Sequence, residues 1–260
     1  MTTSMSRFAT FVDSQQARSV ELPLVHSTRS EILHAIASTG VLEPQSCSVF
    51  GEKLTYLFYG RPVYRSSRFG LEPSTDLPYC PICLVFRPDA IRNIARLYPC
   101  DSGGLRGDKF DPPIPGVDYL HFELSRTLKS ARRLTSKFFG TNRNYYHGAA
   151  KKNLPLPKGE VEAHKYYELI TTSGTSAFDQ RRSAIEAQTH ERIELRNNIA
   201  FVILPTAFLG IKKVRNLIAK EWRAELITYP TYEGGIPVEY TTTIVERLRE
   251  QFERGGYFSP

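Results

Sequence analysis

The run Leu22-Pro-Leu-Val-His26 is short and mostly apolar, which predicts a buried strand that ends at a histidine. The next four residues, Ser27-Thr-Arg-Ser30, are rich in hydroxyl side chains, and such residues favour the beginning of a helix. Apolar residues then recur at helical spacing over positions 32–37, and Gly40 stands where a helix commonly ends. The sequence therefore predicts a strand–helix unit with His26 at the end of its strand.

A second strand is predicted by Leu54-Thr-Tyr-Leu-Phe-Tyr59, a run of β-forming residues that ends at Gly60 and leads directly into Arg61. Successive side chains of a strand point to opposite faces, so Tyr56, Phe58 and Tyr59 divide between two environments. Aromatic side chains of this kind either fill a core or pack against a planar ligand. We expect one of the three to face a ligand, and not all of them.

The remaining pattern mixes short strands and helices in no regular order. Strands are predicted over 79–86, 183–189, 199–204 and 226–229, and helices over 88–97, 119–139, 160–170, 211–222 and 238–252. Residues 99–118 are rich in Pro and Gly and predict a long irregular loop. Because no strand–helix–strand unit repeats, the pattern favours the α+β class. We expect residues 1–20 to be a loosely ordered extension of a single domain that covers 21–260.

Positive charge is concentrated in one segment of the chain. The formal net charge is +7, and residues 119–152 hold eight basic side chains against one acid, Glu123. On the helix predicted over 119–139, a basic stripe would be formed by Arg126, Lys129, Arg133 and Lys137. Such a stripe is either a solvated face or a contact for a nucleic acid or another polyanion, and we take it as the candidate nucleic-acid surface.

The cysteines and the hydropathy pattern bear on metal binding and location. Cys80 and Cys83 have the C-x-x-C spacing of metal and redox sites. They lie in the apolar strand predicted over 79–86, however, where residues three apart point to opposite faces. We therefore expect buried, reduced, structural cysteines and no metal. No apolar run has the length of a membrane span or a signal peptide, which indicates a cytoplasmic protein without a membrane partner.

Several segments follow one another in an order that resembles a known family. They are Val25-His26-Ser27-Thr28, the helix predicted over 32–40, Leu57-Phe-Tyr-Gly-Arg61-Pro-Val-Tyr64, and Arg181-Arg182 leading to Ile185-Glu186. In this order the chain resembles the DarT-type ADP-ribosyltransferases over most of residues 22–230. It departs from them where Gly60, and not a proline, precedes Arg61, where Ala187-Gln188 follows Glu186, and in the long stretch 99–160.

The resemblance implies an ADP-ribosyltransferase-like split β-sheet core with flanking helices and a basic helical insertion at about 99–175. It implies NAD as co-substrate and no metal. Glu186 would orient the nicotinamide ribose, and Arg61 would contact phosphate or assist proton transfer at the acceptor. Further NAD-binding positions would be His26, Ser27, Thr28, Tyr56, Tyr59, Gly60 and Tyr64.

The chemistry of such a reaction requires these residue types. The transition state for breaking the nicotinamide–ribose bond resembles an oxocarbenium ion, which a carboxylate near the ribose stabilises. An aromatic wall suits the flat nicotinamide, and an arginine or backbone N–H groups suit the pyrophosphate. Asp101-Ser-Gly-Gly104 also offers N–H groups, although such a sequence is more typical of a turn than of a phosphate loop.

The acceptor and the class of function stay open at this point. We expect transfer of ADP-ribose to DNA or RNA by a toxin or anti-phage effector, with a regulatory or antitoxin partner left open. Within the same class, the acceptor could be a protein or water. A metal-dependent nuclease is the second reading, because Asp179, Glu186 and Gln188 resemble an acidic pair followed by a polar residue. A non-catalytic binding protein is the third.

Overall fold

A computed structural model describes residues 5–64, 77–106, 118–172 and 181–259. The strands of this part are β1 (Leu24–Arg29), β2 (Val41–Leu42), β3 (Gln45–Cys47), β4 (Glu52–Tyr59), β5 (Pro81–Phe86), β6 (Arg96–Tyr98), β7 (Glu186–Thr189), β8 (Ile193–Glu194), β9 (Ile199–Pro205) and β10 (Glu225–Tyr229). The helices are α1 (Arg7–Asp13), α2 (Leu33–Thr39), α3 (Ser102–Arg106), α4 (Leu128–Phe138), α5 (Asn142–Tyr146), α6 (Val161–Thr171), α7 (Lys212–Asn216) and α8 (Tyr240–Arg254). This combination of several helices with a mixed sheet confirms the α+β class.

The main sheet divides between two of its central strands, β1 and β4. Its strand order is β10-β9-β5-β1-β4-β7-β6, with β3 added to β4, and every pairing except that of β9 with β10 is antiparallel. β1 pairs with β5 along its whole length, from Leu24 to Arg29. Its ladder with β4, by contrast, contains two residue pairs, Leu24 with Tyr59 and Val25 with Phe58. Beyond Val25 the two strands therefore separate, and the sheet opens between them.

One face of the sheet is covered by helices that share a single aromatic core. The ring of Phe8 in α1 lies 5.5 Å from that of Phe122 and 5.7 Å from that of Tyr166 in α6. In α5, the hydroxyl of Tyr145 donates to the Tyr59 carbonyl at 2.8 Å and accepts from the Ile185 N–H at 3.0 Å. The residues of α4–α6 thus belong to the same buried cluster as the strands.

Most of the strongly patterned elements are confirmed. The predicted strand–helix unit is β1 followed by α2, and Gly40 ends that helix in the left-handed conformation with φ +68°. The prediction that the strand ends at His26 is wrong, because residues 27–29 continue to pair with β5 and the strand ends at Arg29. The other confirmed elements are β4, β5, β7, β9, β10, α6, α8, and α7 with the π-helical turn Leu217–Trp222 that continues it. The four cysteines are buried and free, as expected.

The expectation of a loosely ordered N-terminus is wrong for Arg7–Asp13, which form a helix. α1 begins after Ser6, whose hydroxyl accepts from the Ala9 N–H at 3.0 Å. Phe8 and Val12 are completely buried. The apolar residues of this helix are too few to reveal a periodicity in sequence, but they complete a core that the distant helices α4 and α6 supply.

Two predicted helices are also wrong in part. Residues 88–97 form a 3₁₀ turn at Pro88–Ala90 and then the strand β6, because Leu97 pairs with Ala187 of β7. The helix expected over 119–139 is a 3₁₀ turn at Tyr119–Phe122, a break, and then α4, which Thr127 caps through the Ser130 N–H. Within the loop expected over 99–118, residues 102–106 form α3, and 107–117 lie outside the described residues.

Candidate active site

A cleft lies where β1 and β4 separate. Its volume is about 420 Å³, within the range of small-molecule sites. One side is formed by residues of β1 and the turn after it, and the other by β4, the turn after β3, and Val63 and Tyr64. Of the predicted site residues, the cleft brings together His26, Ser27, Thr28, Tyr56, Tyr64 and Glu186.

His26 bridges the two separating strands. Its Nδ1 lies 2.9 Å from the carbonyl oxygen of Tyr56, just beyond the last residue pair of the β1–β4 ladder. Because a carbonyl oxygen only accepts, Nδ1 carries the proton and Nε2 is an acceptor. Burial lowers the pKa of His26 below its ordinary value of 6.5. The ring is therefore neutral near pH 7 and offers one acceptor nitrogen.

Glu186 is held rigidly at the inner end of the cleft. It begins β7, opposite Phe58 of β4, and its side chain has no exposed surface. Its Oε1 accepts from the Ser102 hydroxyl at 2.6 Å and from the Gln188 amide at 2.5 Å. The Gln188 amide also donates to the Ser102 oxygen at 2.9 Å. These three bonds hold the carboxylate in one orientation.

The segment Asp101-Ser-Gly-Gly104 supplies Ser102. The Asp101 carboxylate accepts from the Gly103 N–H at 2.8 Å and from the Gly104 N–H at 3.1 Å, which closes the first turn of α3. Arg181 lies 3.9 Å from the same carboxylate. The segment therefore begins a short helix instead of the expected turn, and its use to support Glu186 was not predicted. The position of Gln188 beside Glu186 could have been predicted, because residues two apart on a strand point to the same face.

Aromatic side chains form a wall of the cleft. Tyr56 and Phe58 face it from β4, two of the three aromatic residues and not one as expected, because residues two apart on a strand share a face. Tyr64 lies beyond the end of that strand. The Tyr56 hydroxyl contacts the sulfur of Cys47, which fixes the ring against the turn after β3. Burial raises the pKa of Tyr64 to about 12, so this residue is an uncharged phenol at neutral pH.

Three predicted site residues lie outside the cleft. Tyr59 points to the opposite face, where its hydroxyl accepts from the Leu22 N–H at 3.0 Å. Gly60 has φ +63°, and a Cβ there would overlap Leu22, so the need for glycine is structural. Arg61 is 2% exposed, donates to the Ser183 hydroxyl at 2.5 Å, and lies 5.7 Å from the centre of the Tyr145 ring. Arg61 is thus buried and does not line the cleft.

Arg29 is a cleft residue that the sequence did not single out. It ends β1, lines the cleft three residues beyond His26, and forms an ion pair with Glu31. About a third of its side chain is exposed. The sequence could have indicated Arg29, because it follows His26 by three residues in the same segment. Arg29 is thus an arginine that lines the cleft.

The predicted basic stripe is not a continuous free surface. Arg126 precedes α4 and pairs with Glu123 at 3.0 Å, and Arg133 pairs with Asp13 of α1 at 3.0 Å. Lys137 donates to the Pro155 carbonyl at 3.4 Å. Lys129 is the exposed member of the four on the helix itself. The neighbouring Glu123 and the distant Asp13 thus neutralise part of the charge.

The acidic pair of the nuclease reading cannot be compared with the structure, because Asp179 lies outside the described residues. Among the residues that are described, no group of three or more His, Cys, Asp and Glu side chains is arranged to hold a metal ion.

Comparisons of the chain with known protein families and with curated proteins, and of its structure with solved structures, find no match. In the described ranges, no helix combines the length and the apolar character needed to cross a membrane.

Proposed function

We propose that the cleft binds NAD⁺ and that the protein breaks the nicotinamide–ribose bond and transfers ADP-ribose to a nucleic acid. The observation that carries this proposal is that His26 and Glu186, 160 residues apart, line one cleft. The separation of β1 from β4 supports the split sheet of the ADP-ribosyltransferase fold. The aromatic wall and Arg29 supply the other groups that the dinucleotide needs.

In this proposal each cleft residue has a chemical task. The Glu186 carboxylate faces the ribose next to the nicotinamide and stabilises positive charge as the C1′–N bond breaks. Nicotinamide leaves with the bonding electron pair and is neutral. The Nε2 of His26 accepts a hydrogen bond from a ribose hydroxyl at the adenosine end. Tyr56 and Phe58 offer ring faces to the nicotinamide.

Arg29 takes the role of binding the pyrophosphate. A guanidinium at the open end of β1 can reach an anion in the cleft and exchange its partner Glu31 for a phosphate oxygen. The acceptor nucleophile then forms a bond to C1′ of the ribose and loses its proton. When water is the acceptor, the same step is NAD⁺ hydrolysis.

The experiment is to follow free nicotinamide by chromatography after the protein is incubated with NAD⁺, alone or with single-stranded DNA or RNA. We expect the Glu186→Gln variant to lose at least about a hundredfold in kcat, because the charge that stabilises the transition state is removed. Glu43→Gln is the matched control, since Glu43 is an exposed carboxylate paired with Arg192 and lies outside the cleft.

Two outcomes would overturn the proposal. One is the absence of nicotinamide release by the wild-type protein with every acceptor. The other is an equal rate for Glu186→Gln and the wild type. Cleavage of the nucleic acid that depends on Mg²⁺ and consumes no NAD⁺ would establish the nuclease reading in its place.

A further inference from the structure

A second groove lies between α2 and the segment 206–222, and its volume is about 330 Å³. Its walls are apolar. Leu33 and Ala37 form one wall, and Phe208, Val214 and Leu217 form the other. The volume is near the lower end of the range for small-molecule sites, and apolar walls favour a ligand with apolar side chains.

Two side chains of opposite charge also line this groove, Lys213 and Glu221. Both are exposed, and within the described ranges neither side chain forms an ion pair or a hydrogen bond. They lie eight positions apart on α7 and the π-helical turn that continues it. Side chains on a helix meet when they are three or four positions apart, so these two do not neutralise each other. Both charges are therefore available to a ligand.

The spacing of the two charges sets the length of the ligand. With a rise of 1.5 Å per residue, eight helical residues correspond to at most roughly 12 Å along the axis. Three extended peptide residues span roughly 10 Å, with an ammonium group at one end and a carboxylate at the other. The long side chains of Lys213 and Glu221 bridge the difference. We propose that the groove binds an apolar tripeptide with free termini, its ammonium group at Glu221 and its carboxylate at Lys213.

The walls and the charges have different tasks in this site. Apolar side chains of the peptide pack against Phe208 and Leu217 on one wall and Leu33 on the other, which supplies most of the affinity. An exposed ion pair adds little free energy, so the two charges chiefly select peptides with free ends and fix their direction. His34 and Ser38 also line the groove from α2, and their side chains can form hydrogen bonds with the peptide groups.

This site is independent of the proposed reaction, because peptide binding is measured without NAD⁺. Ala37→Trp fills the groove from the side of α2, and Ala37 does not line the cleft. We expect this variant to lose the binding of trileucine and to release nicotinamide at the wild-type rate. A protein that binds the peptide but releases no nicotinamide supports the groove alone, and the reverse supports the reaction alone.

The test is isothermal titration calorimetry of the full chain with trileucine, with N-acetyl-trileucine and with trileucine amide. For the wild type we expect each blocked peptide to bind about fivefold more weakly than the free one, because it lacks one charge contact. Lys213→Gln should remove the preference for a free carboxylate and keep the preference for a free amine. Glu221→Gln should have the converse effect.

Lys212→Gln and Glu233→Gln are the matched controls, since both residues are exposed and lie outside the groove. Both should keep the wild-type preferences, and thermal melting of every variant establishes that it is folded. The proposal is overturned when trileucine does not bind, when the blocked peptides bind as tightly as the free one, or when Lys213→Gln and Glu221→Gln keep both preferences. Tighter binding of a peptide blocked at both ends would assign the groove to an internal segment of a protein and overturn it as well.

Discussion

His26 is a single residue whose surroundings set its protonation. Burial lowers its pKa in the folded state, whereas in the unfolded chain the ring takes up a proton near 6.5. Below that pH the unfolded state binds more protons than the folded state, so acidification favours unfolding, and above it the effect vanishes. Each unit by which the pKa is lowered costs about 1.4 kcal/mol of stability at low pH.

We predict that wild-type protein loses more stability between pH 7.5 and pH 5 than the His26→Asn variant, as measured by urea unfolding. Asparagine is suited as the replacement because its amide can donate to the Tyr56 carbonyl and does not titrate in this range. An equal loss in both proteins would show that His26 is not the group responsible.

In the proposed reaction Ser102 acts through Glu186, as a positioning residue. Its hydroxyl is completely buried and donates to the carboxylate at 2.6 Å. For Ser102→Ala we predict that kcat for NAD⁺ cleavage falls about tenfold with KM nearly unchanged, because a mobile carboxylate stabilises the transition state less well while the binding residues are untouched. Ser130→Ala is the control, since Ser130 is equally buried but donates to Asp13. A rise in KM alone would contradict the positioning role.

Arg29 and Arg61 make opposite predictions because one lines the cleft and the other is buried behind it. We expect Arg29→Gln to raise KM for NAD⁺ about tenfold with little change in melting temperature, since one charged contact to phosphate is lost. We expect Arg61→Ala to cost about 3 kcal/mol of stability, because it removes a buried side chain and strands the groups around it. Steady-state kinetics and urea unfolding measure both effects, and the reverse pattern would return Arg61 to the active site.

At the scale of elements, α1 is a structural part of the domain. The Phe8 ring contacts Phe122, Phe138 and Tyr166. We predict that Phe8→Ala destabilises the protein by about 3–5 kcal/mol, the usual cost of emptying a buried aromatic position. Val161→Ala is the control, because that side chain is 58% exposed. Denaturant unfolding measures the difference, and a cost below about 1 kcal/mol would mean that the helix is not docked in solution.

Elements with a strong local pattern could be predicted, and those that depend on a distant partner could not. β1, β4 and α2 carry their own hydrophobic spacing and end signals, so their type is readable. β6 is a strand because Leu97 meets Ala187, some 90 residues later, and α1 is a helix that Phe122 and Tyr166 bury. Local propensity cannot contain information about a partner of that kind.

The same distinction explains the candidate site. His26, Tyr56, Tyr64 and Glu186 could be named because each lies on or just after a strand with a clear sequence pattern, in an order that resembles a family. The role of Ser102 was not predicted, because it depends on how α3 lies relative to β7. Arg61 follows the end of β4, so the alternation of side chains along that strand does not show which way Arg61 points. The basic stripe failed for a similar reason: Asp13 reaches Arg133 from 120 residues away.

At the scale of the whole molecule, the divided sheet makes one region easier to open than the rest. β9 is paired on both sides, with β5 and β10, whereas β1 has β5 along its full length but β4 for two residue pairs. Local opening is cheapest where backbone pairing is incomplete. The outer half of β1 and the turn after β3, at the mouth of the cleft, should therefore exchange their amide hydrogens faster than β9 does.

We predict that saturating NAD⁺ slows this exchange at residues 26–29 and 46–49 and leaves β9 unchanged at short labelling times, when local opening dominates. The dinucleotide would bridge the two halves of the sheet, as the His26–Tyr56 bond already does on a smaller scale. Hydrogen–deuterium exchange measured by mass spectrometry tests this, and Arg29→Gln should need more NAD⁺ for the same protection. Protection that leaves residues 26–29 and 46–49 unchanged would contradict this placement, because a ligand in the cleft contacts both the end of β1 and the residues at and after the end of β3.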